Sequence, residues 1–307
     1  MKSILFTLVL LLTIGLTACR KDKNYPDIKA YDQQQIASYI AANGITDMVK
    51  DTSGKDSTGI WYKIITPGTG AAVDYPTEIS YVYTIKSFDG KFSATDTVLN
   101  HFDGLLGHTA PNGLILAIRN ILKNKGGKMR VLIPSHLGYG INGTGSGSNS
   151  VANARIAGNQ CLDYTINLVD KQYVYDDLVI QKYMAANNLS GYTKITTGID
   201  SGMYYKITTV GTGNAISNIS SLTINYVGKL MNNTVFDDHS TTTATFADMD
   251  NTIAAKGFEY GLELAKGGGG ISLIFPSSLG YGPGGSPGII PSNACLRFDI
   301  TNIVVNP

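Results

Sequence analysis

The stretch Gly59-Ile-Trp-Tyr-Lys-Ile-Ile-Thr-Pro-Gly-Thr-Gly70 returns, with few changes, as Gly202-Met-Tyr-Tyr-Lys-Ile-Thr-Thr-Val-Gly-Thr-Gly213. Reading outward from this pair, the likeness continues in both directions. Upstream, Asp32-Gln-Gln-Gln-Ile-Ala-Ser-Tyr39 corresponds to Asp176-Asp-Leu-Val-Ile-Gln-Lys-Tyr183, and Ala-Ala-Asn follows at Ala41 and at Ala185. Downstream, Pro134-Ser-His-Leu-Gly-Tyr-Gly140 corresponds to Pro276-Ser-Ser-Leu-Gly-Tyr-Gly282, and Cys161-Leu-Asp-Tyr-Thr-Ile to Cys295-Leu-Arg-Phe-Asp-Ile. The separation holds at 144, 143 and 142 residues and then drops to 134, so the first copy carries the longer loop between Tyr139 and Cys161. Gly143-Thr-Gly-Ser-Gly-Ser-Asn-Ser150 reads as that loop, a flexible insertion. A period this long is a duplicated domain rather than a solenoid. We place the first domain at about 28–172 and the second at about 173–307.

Each copy reads the same way. A short helix leads, with Ile36, Tyr39 and Ile40 on one face in the first copy and Ile180, Tyr183 and Met184 in the second. A strand follows, from Ile60 to Ile65 or from Met203 to Thr208, and ends in the Gly-Thr-Gly turn. The next segment alternates, Ile79, Tyr81, Tyr83 and Ile85 against Leu222, Ile224 and Tyr226, which predicts a strand with one buried face. A second helix runs through Leu114 to Leu122, or Phe258 to Leu264, until Gly126-Gly127 or the Gly267–Gly270 run breaks it. One strand then enters Ile-Pro-Ser or Phe-Pro-Ser, and the last covers Leu162 to Val169 or Leu296 to Val305. Strands, one helix and strands again indicate an α+β fold: an antiparallel sheet wrapped over a short helix, preceded by an extra helix.

Composition narrows the function. The 24 basic and 23 acidic side chains leave a net charge of +1 and are mixed along the chain, so no nucleic-acid partner is expected. With three Cys, no CxxC and four His, no metal site or cofactor is expected. Cys161 and Cys295, at matching places in the repeats, read as buried free thiols. No Ser-His-Asp array or GxSxG is apparent, and the Gly267–Gly270 run lacks the Lys-Ser or Lys-Thr of a phosphate loop. His239 beside Asp238 reads as a solvated loop residue. Residues 1–18 carry a positive Lys2 and an apolar run, Ile4 to Leu12, of signal-peptide length, ending in Leu16-Thr17-Ala18-Cys19. This resembles a bacterial lipobox, so Cys19 is the expected lipid-attachment site. Residues 19–27 would form a tether to a membrane held by the acyl chains.

The order and spacing of the motifs resemble the FKBP-type peptidyl-prolyl cis-trans isomerases, and the second copy does so most closely. Asn225-Tyr-Val-Gly228, Val235-Phe-Asp-Asp-His-Ser240, Gly257-Phe258, Leu279-Gly-Tyr-Gly282, Ser286-Pro-Gly-Ile-Ile-Pro291 and Leu296-Arg-Phe298 carry the likeness. The resemblance implies an apolar pocket walled by Tyr226, Phe236, Asp237, Phe246, Phe258, Tyr281, Ile289, Ile290 and Phe298. Phe236, Phe258 and Phe298 would hold a proline ring. Tyr281 and the backbone near Ile289 would meet substrate carbonyls, and Asp237 would tune the polar edge. In the first copy Tyr83, Phe92, Leu114, Tyr139, Ile156 and Tyr164 fall at matching positions, but Ser93 stands where the Asp is expected and Leu114 replaces the aromatic floor. That site is expected to be degenerate. The implied function is prolyl isomerisation of proline-containing polypeptides, assisting the folding of exported proteins in the cell envelope, with the second domain active. The alternative is a non-catalytic peptide-binding or chaperone lipoprotein.

Overall fold

The computed structural model describes residues 27–53, 58–148, 150–252 and 254–306; the expected signal segment, lipid-attachment residue Cys19 and tether to residue 26 lie outside them. It contains two copies of one architecture. The first unit runs α1 (Ile28–Ala42), β1 (Val49–Lys50), β2 (Trp61–Thr66), β3 (Glu78–Ser87), β4 (Ser93–Ala94), β5 (His101–Leu105), α2 (Asn112–Leu116), β6 (Lys128–Ile133), β7 (Thr144–Gly145), β8 (Arg155–Ile156) and β9 (Leu162–Val169). The second runs α3 (Gln172–Ala186), β10 (Thr193–Lys194), β11 (Tyr204–Thr209), β12 (Leu222–Leu230), β13 (Val235–Asp238), β14 (Ala244–Phe246), α4 (Met249–Thr252), α5 (Lys256–Leu262), β15 (Gly270–Phe275) and β16 (Leu296–Val305).

The main sheets have the same strand order, β1-β2-β6-β9-β3 and β10-β11-β15-β16-β12, with two short strands along the far edge of each long one. Every ladder is antiparallel. The expected α+β fold is therefore present twice. The last strands of both units have the expected bounds, whereas β2 and β11 begin one residue later than expected. The second helix of the first unit keeps α-helical geometry only to Leu116 and widens into a π-turn over Ala117–Leu122.

Period-two geometry explains how each sheet is covered on both faces. In β15, Ile271, Leu273 and Phe275 point into the core that includes Phe258 and Leu262 of α5. Ile274 points the other way and packs with Ile180 and Tyr183 of α3. The first unit repeats this arrangement: Leu132 meets Ile36 of α1 and the buried thiol of Cys161. The leading helices thus cap the outer faces of their own sheets, and the faces read from the sequence are the ones they bury. Cys161 and Cys295 are buried free thiols in this helix–sheet layer, and burial pushes both upward in pKa, Cys161 to about 12. Each helix is fixed by one buried carboxylate. Asp32 accepts from Ser135 Oγ at 2.7 Å, and Asp176 accepts from Ser277 Oγ at 2.7 Å and from its backbone N–H at 2.9 Å.

The long loop of the first unit is more ordered than its Gly-Ser composition suggests. Thr144–Gly145 pairs with Arg155–Ile156, and Asn153 ties the loop to the sheet edge: it donates its N–H to Lys91 O at 2.9 Å and accepts from Ser93 N at 2.7 Å. Left-handed residues at Gly143, Gly145 and Asn153 permit the reversal.

The units touch through β3, β5 and the 96–98 turn of the first. Asn232 donates to Asp96 at 2.6 Å, and Val98 inserts against the second unit's apolar clusters. Ser80 lies 2.8 Å from His101 Nε2 and 3.0 Å from Gln172 Oε1, and the His101 ring meets Tyr175 edge-on at 6.3 Å. Burial pushes His101 down to about 4, with nearby Asp103 opposing the shift. An unfolded histidine titrates near ~6.5, so between these values the unfolded chain binds the extra proton. Stability carried by His101 is full above about pH 6.5 and is lost as pH falls towards 4. We expect His101→Asn to flatten the decline of urea-unfolding stability between pH 6.5 and 4.5; an unchanged slope would assign that decline to other groups.

Candidate functional site

Four strands, β12, β13, β14 and β16, and the helix α5 bring the aromatic residues of the second unit together. Alternation along β12 turns Tyr226 and Gly228 to the same face, and the β12–β16 ladder sets Gly228 opposite Phe298. A Cβ on Gly228 would lie 2.7 Å from the ring of Phe236 and 3.0 Å from that of Phe298. The missing side chain is what lets both rings approach. A β-bulge where β13 pairs with β12 adds one residue between Val235 and Asp237, and that residue is Phe236. Gly257 plays a similar part at the start of α5: its Cβ would meet the Phe275 ring at 2.6 Å, so Phe258 is brought down close over the sheet.

The result is a cluster of packed aromatic rings with a half-exposed edge, called the dish. Phe258 and Phe298 meet at 4.6 Å between centroids with planes 60° apart, and Tyr226 lies 5.3 Å from Phe258 and 5.9 Å from Phe298. Phe236 stands edge-on to Phe298 at 5.5 Å, and Phe246 lies 6.0 Å from Phe258. Tyr226, Phe258, Ile290 and Phe298 are buried and make the floor; Phe236, Asp237, Phe246 and Tyr281 are half-buried and make the rim. All the residues expected at the site, apart from Ile289, therefore contribute to one dish. Ile289 is 58% exposed and is not packed into that cluster.

Polar groups occupy one side of the rim. Tyr226 donates its hydroxyl to Asp237 Oδ2 at 2.7 Å, and burial together with this carboxylate raises the Tyr226 pKa. Burial and the charge of Asp237 also raise Tyr281, whose hydroxyl has no hydrogen-bond partner among the described residues. Two expectations need correction. The N–H groups of Ile289 and Ile290 both point to Ser286 O, at 3.0 and 2.8 Å, and so hold their own loop rather than face the dish. His239 is not merely a solvated neighbour of Asp238. Its Nε2 lies 3.5 Å from Asp237 Oδ1 and its ring packs on Tyr226 at 5.0 Å, while Asp238 turns away to accept from Ser240 N. Strand geometry explains the miss: Asp237 and His239 are two apart, hence on one face, and adjacency in sequence pointed to the wrong partner.

The first unit builds the corresponding place differently. Tyr83, Tyr164 and Tyr139 come together, with Tyr83 and Tyr164 rings 5.9 Å apart and the Tyr139 and Tyr164 hydroxyls at 3.4 Å. Leu114 and Ile156 are buried beneath them. The β3–β4 ladder is regular where β12–β13 is bulged: Lys86 faces Ser93 and Ile85 faces Ala94. Register therefore puts Ala94, rather than Ser93, opposite the position matching Gly228. Phe92 O bonds to Ser87 N as Thr234 O bonds to Leu230 N, so Phe92 stands at the level of Thr234 and not of Phe236. Ile85, 4% exposed, fills the space that Gly228 leaves open.

Residues 213–303 match the family of FKBP-type peptidyl-prolyl cis-trans isomerases, a stretch that contains the whole dish, so the second unit carries an FKBP-type domain. A probable FKBP-type peptidyl-prolyl cis-trans isomerase of Haemophilus influenzae is 37% identical over 107 residues, which is 35% of this chain and 44% of that protein. The FKBP-type peptidyl-prolyl cis-trans isomerase FkpA of Escherichia coli is 35% identical over 107 residues, 34% of this chain and 38% of that protein. The chain thus spans less than half the length of these relatives. The crystal structure of FkpA from Escherichia coli is similar with a TM-score of 0.37 and 26% identity, covering 44% of this chain and 62% of that one.

The two fillings of one position predict opposite responses. Ile85→Ala should open a cavity in the first unit and cost about 2–4 kcal/mol. Gly228→Ala should overpack the second against Phe236 and Phe298 and cost about 1–3 kcal/mol. Urea unfolding of each variant measures both, and a neutral Gly228→Ala would show that Phe236 swings out without loss.

Proposed function

We propose that this chain is a peptidyl-prolyl cis-trans isomerase whose working site is the aromatic dish of the second unit. The observation that carries the reading is the joint placement of Phe236, Phe258 and Phe298 around a Tyr226–Asp237 hydrogen bond within the stretch that matches the family. The domains divide at about residue 172, and the first serves without a working site of its own.

The reaction turns an X-Pro amide about its C–N bond, against a barrier of about 18–20 kcal/mol set by amide resonance. Unaided, it takes roughly tens to hundreds of seconds. The twisted transition state has lost part of that resonance and is less polarised than either planar form. A dish of aromatic faces stabilises it relative to the planar amide, which water favours. The rings of Phe236, Phe258 and Phe298 receive the pyrrolidine. The unpartnered hydroxyl of Tyr281 donates to a substrate carbonyl beside the proline. Asp237 acts on orientation: it holds the Tyr226 hydroxyl and, with His239, keeps one rim polar so that the peptide enters in one direction. No nucleophile or general base is required, so Asp237 and His239 need take no proton from the substrate.

In this reading the client is an unfolded or exported polypeptide with exposed X-Pro bonds, and the chain works in the cell envelope, held to a membrane by acyl chains on Cys19. Incorporation of labelled palmitate that disappears in Cys19→Ser tests the anchor. A second reading applies to the first unit. Ile85 fills its dish and Tyr139 is engaged by Tyr164, which favours a structural role there.

The full chain should accelerate isomerisation of a short X-Pro peptide. Asp237→Ala and Tyr281→Phe, each removing one hydrogen-bonding group, should lower kcat/KM by about three- to tenfold; Tyr281→Phe should keep the wild-type urea midpoint, and Asp237→Ala, which strands the Tyr226 hydroxyl, should cost about 1–3 kcal/mol. Saturable peptide binding with no acceleration by the wild-type chain would overturn the enzyme reading and leave a peptide-holding protein.

A further inference from the structure

The loop that carries Tyr281, Ile289 and Ile290 is gripped at both ends by groups that lead back to the first unit. At its start, Ser277 donates its N–H and hydroxyl to Asp176 Oδ2, at 2.9 and 2.7 Å. Asp176 Oδ1 accepts from Gln172 Nε2 at 2.7 Å, and Gln172 Oε1 accepts from Ser80 Oγ of the first unit at 3.0 Å. Ser80 Oγ is 2.8 Å from His101 Nε2 and, since it donates to Gln172, accepts there from Nε2–H. At the loop's end, Asn293 Nδ2 donates to Asp103 Oδ2 of the first unit at 2.8 Å, and Asn293 N donates to Gly282 O at 2.9 Å, next to Tyr281. His101 and Asp103 are two apart on β5 and therefore face the second unit together.

We infer that the first unit is a positioning element for the second unit's site, holding the Ser277–Asn293 loop through Asp103 and through the Ser80–Gln172–Asp176 chain. The inference rests on the isomerase reading of the dish. It gives a reason for the first unit to keep its fold when Ile85 fills its own dish. The physical requirement is specific. Tyr281 lies between two anchors, and Asn293 holds a left-handed conformation, φ 51°, at 7% exposure, where its side-chain amide needs an acceptor. The Asp103 carboxylate is that acceptor. Among the described residues, no hydrogen bond or ion pair joins Asp103 or Ser80 to the rings of the dish, so their effect on turnover runs through the loop.

The test uses the full chain and two readouts. The first is hydrogen exchange at the amides of Ile289, Ile290 and Asn293, whose bonds close the loop. Asp103→Ala should speed their exchange by roughly fivefold or more, with amides of β15 and β16 unchanged, and Asp103→Asn, which keeps an acceptor, should restore slow exchange. The second is isomerisation of an X-Pro peptide, where Asp103→Ala should lower kcat/KM by a similar factor while the β15 and β16 amides stay protected, and Asp103→Asn should recover most of it. Unchanged exchange in Asp103→Ala overturns the inference whether or not the wild-type chain is an isomerase. Faster exchange with wild-type turnover also overturns it, because the loop would then be held without consequence for the site. A wild-type chain that lacks turnover fails the isomerase reading instead, and binding of the same peptide then replaces kcat/KM as the second readout.

Discussion

A single missing side chain organises the site. At Gly228 the β12 strand offers bare backbone to the core, and the rings of Phe236 and Phe298 close over it at distances no Cβ would allow. The bulge that presents Phe236 and the bond from Tyr226 to Asp237 both belong to the same few residues of β12 and β13. With Ile85 at the equivalent place and a regular ladder beside it, the first unit loses the room for the extra ring and the carboxylate together. One fold therefore gathers aromatic rings over a glycine in one copy and buries an isoleucine there in the other, and the difference lies in the packing of one strand pair. Packing at crystal-like density makes such a choice discrete, since a cleft cannot be half occupied by an isoleucine and a phenylalanine.

The sheets depend on a second constraint, the two-sided burial of β6 and β15. A strand whose alternate residues face a helix on each side needs both helices, and the leading helices supply the outer cover. The buried Asp32 and Asp176 fix those helices by accepting from the serine that opens the turn before each site tyrosine. Helix, sheet and site loop are thereby joined at one point in each unit. In the second unit, Gln172 at the head of α3 extends that joint across to Ser80 of the first.

Much of this was legible in the chain. The repeat fixed the organisation, because the Lys-Ile, Pro-Ser and Cys-Leu segments recur in the same order, the first two at 143 and 142 residues and the last at 134 after the longer loop, which left only a duplicated architecture. Alternation in Leu222-Thr-Ile-Asn-Tyr226 and its counterpart located the long strands, and the resemblance assembled the aromatic set. Register was not legible. A bulge adds one residue without changing the apparent motif, so Phe92 and Ser93 aligned with Phe236 and Asp237 by sequence yet occupy other levels of the ladder. Nor was the partner of His239, which a two-residue period gives to Asp237. The Gly-Ser loop suggested mobility, but Asn153, with one backbone and one side-chain bond, anchors it. Contacts between the units left no local signal at all, because Asp103 and Asn293 are ordinary polar residues until the fold sets them side by side.

The most direct measurement of the central claim is an NMR exchange experiment on an X-Pro peptide with a catalytic amount of the full chain, paired with amide shifts of the protein as peptide is added. The account predicts cis–trans exchange cross-peaks that appear only with protein present, and shifts that gather at Tyr226, Phe236, Phe258 and Tyr281. Exchange no faster than in the free peptide, or shifts gathered around Tyr83, Tyr139 and Tyr164 of the first unit, would contradict it.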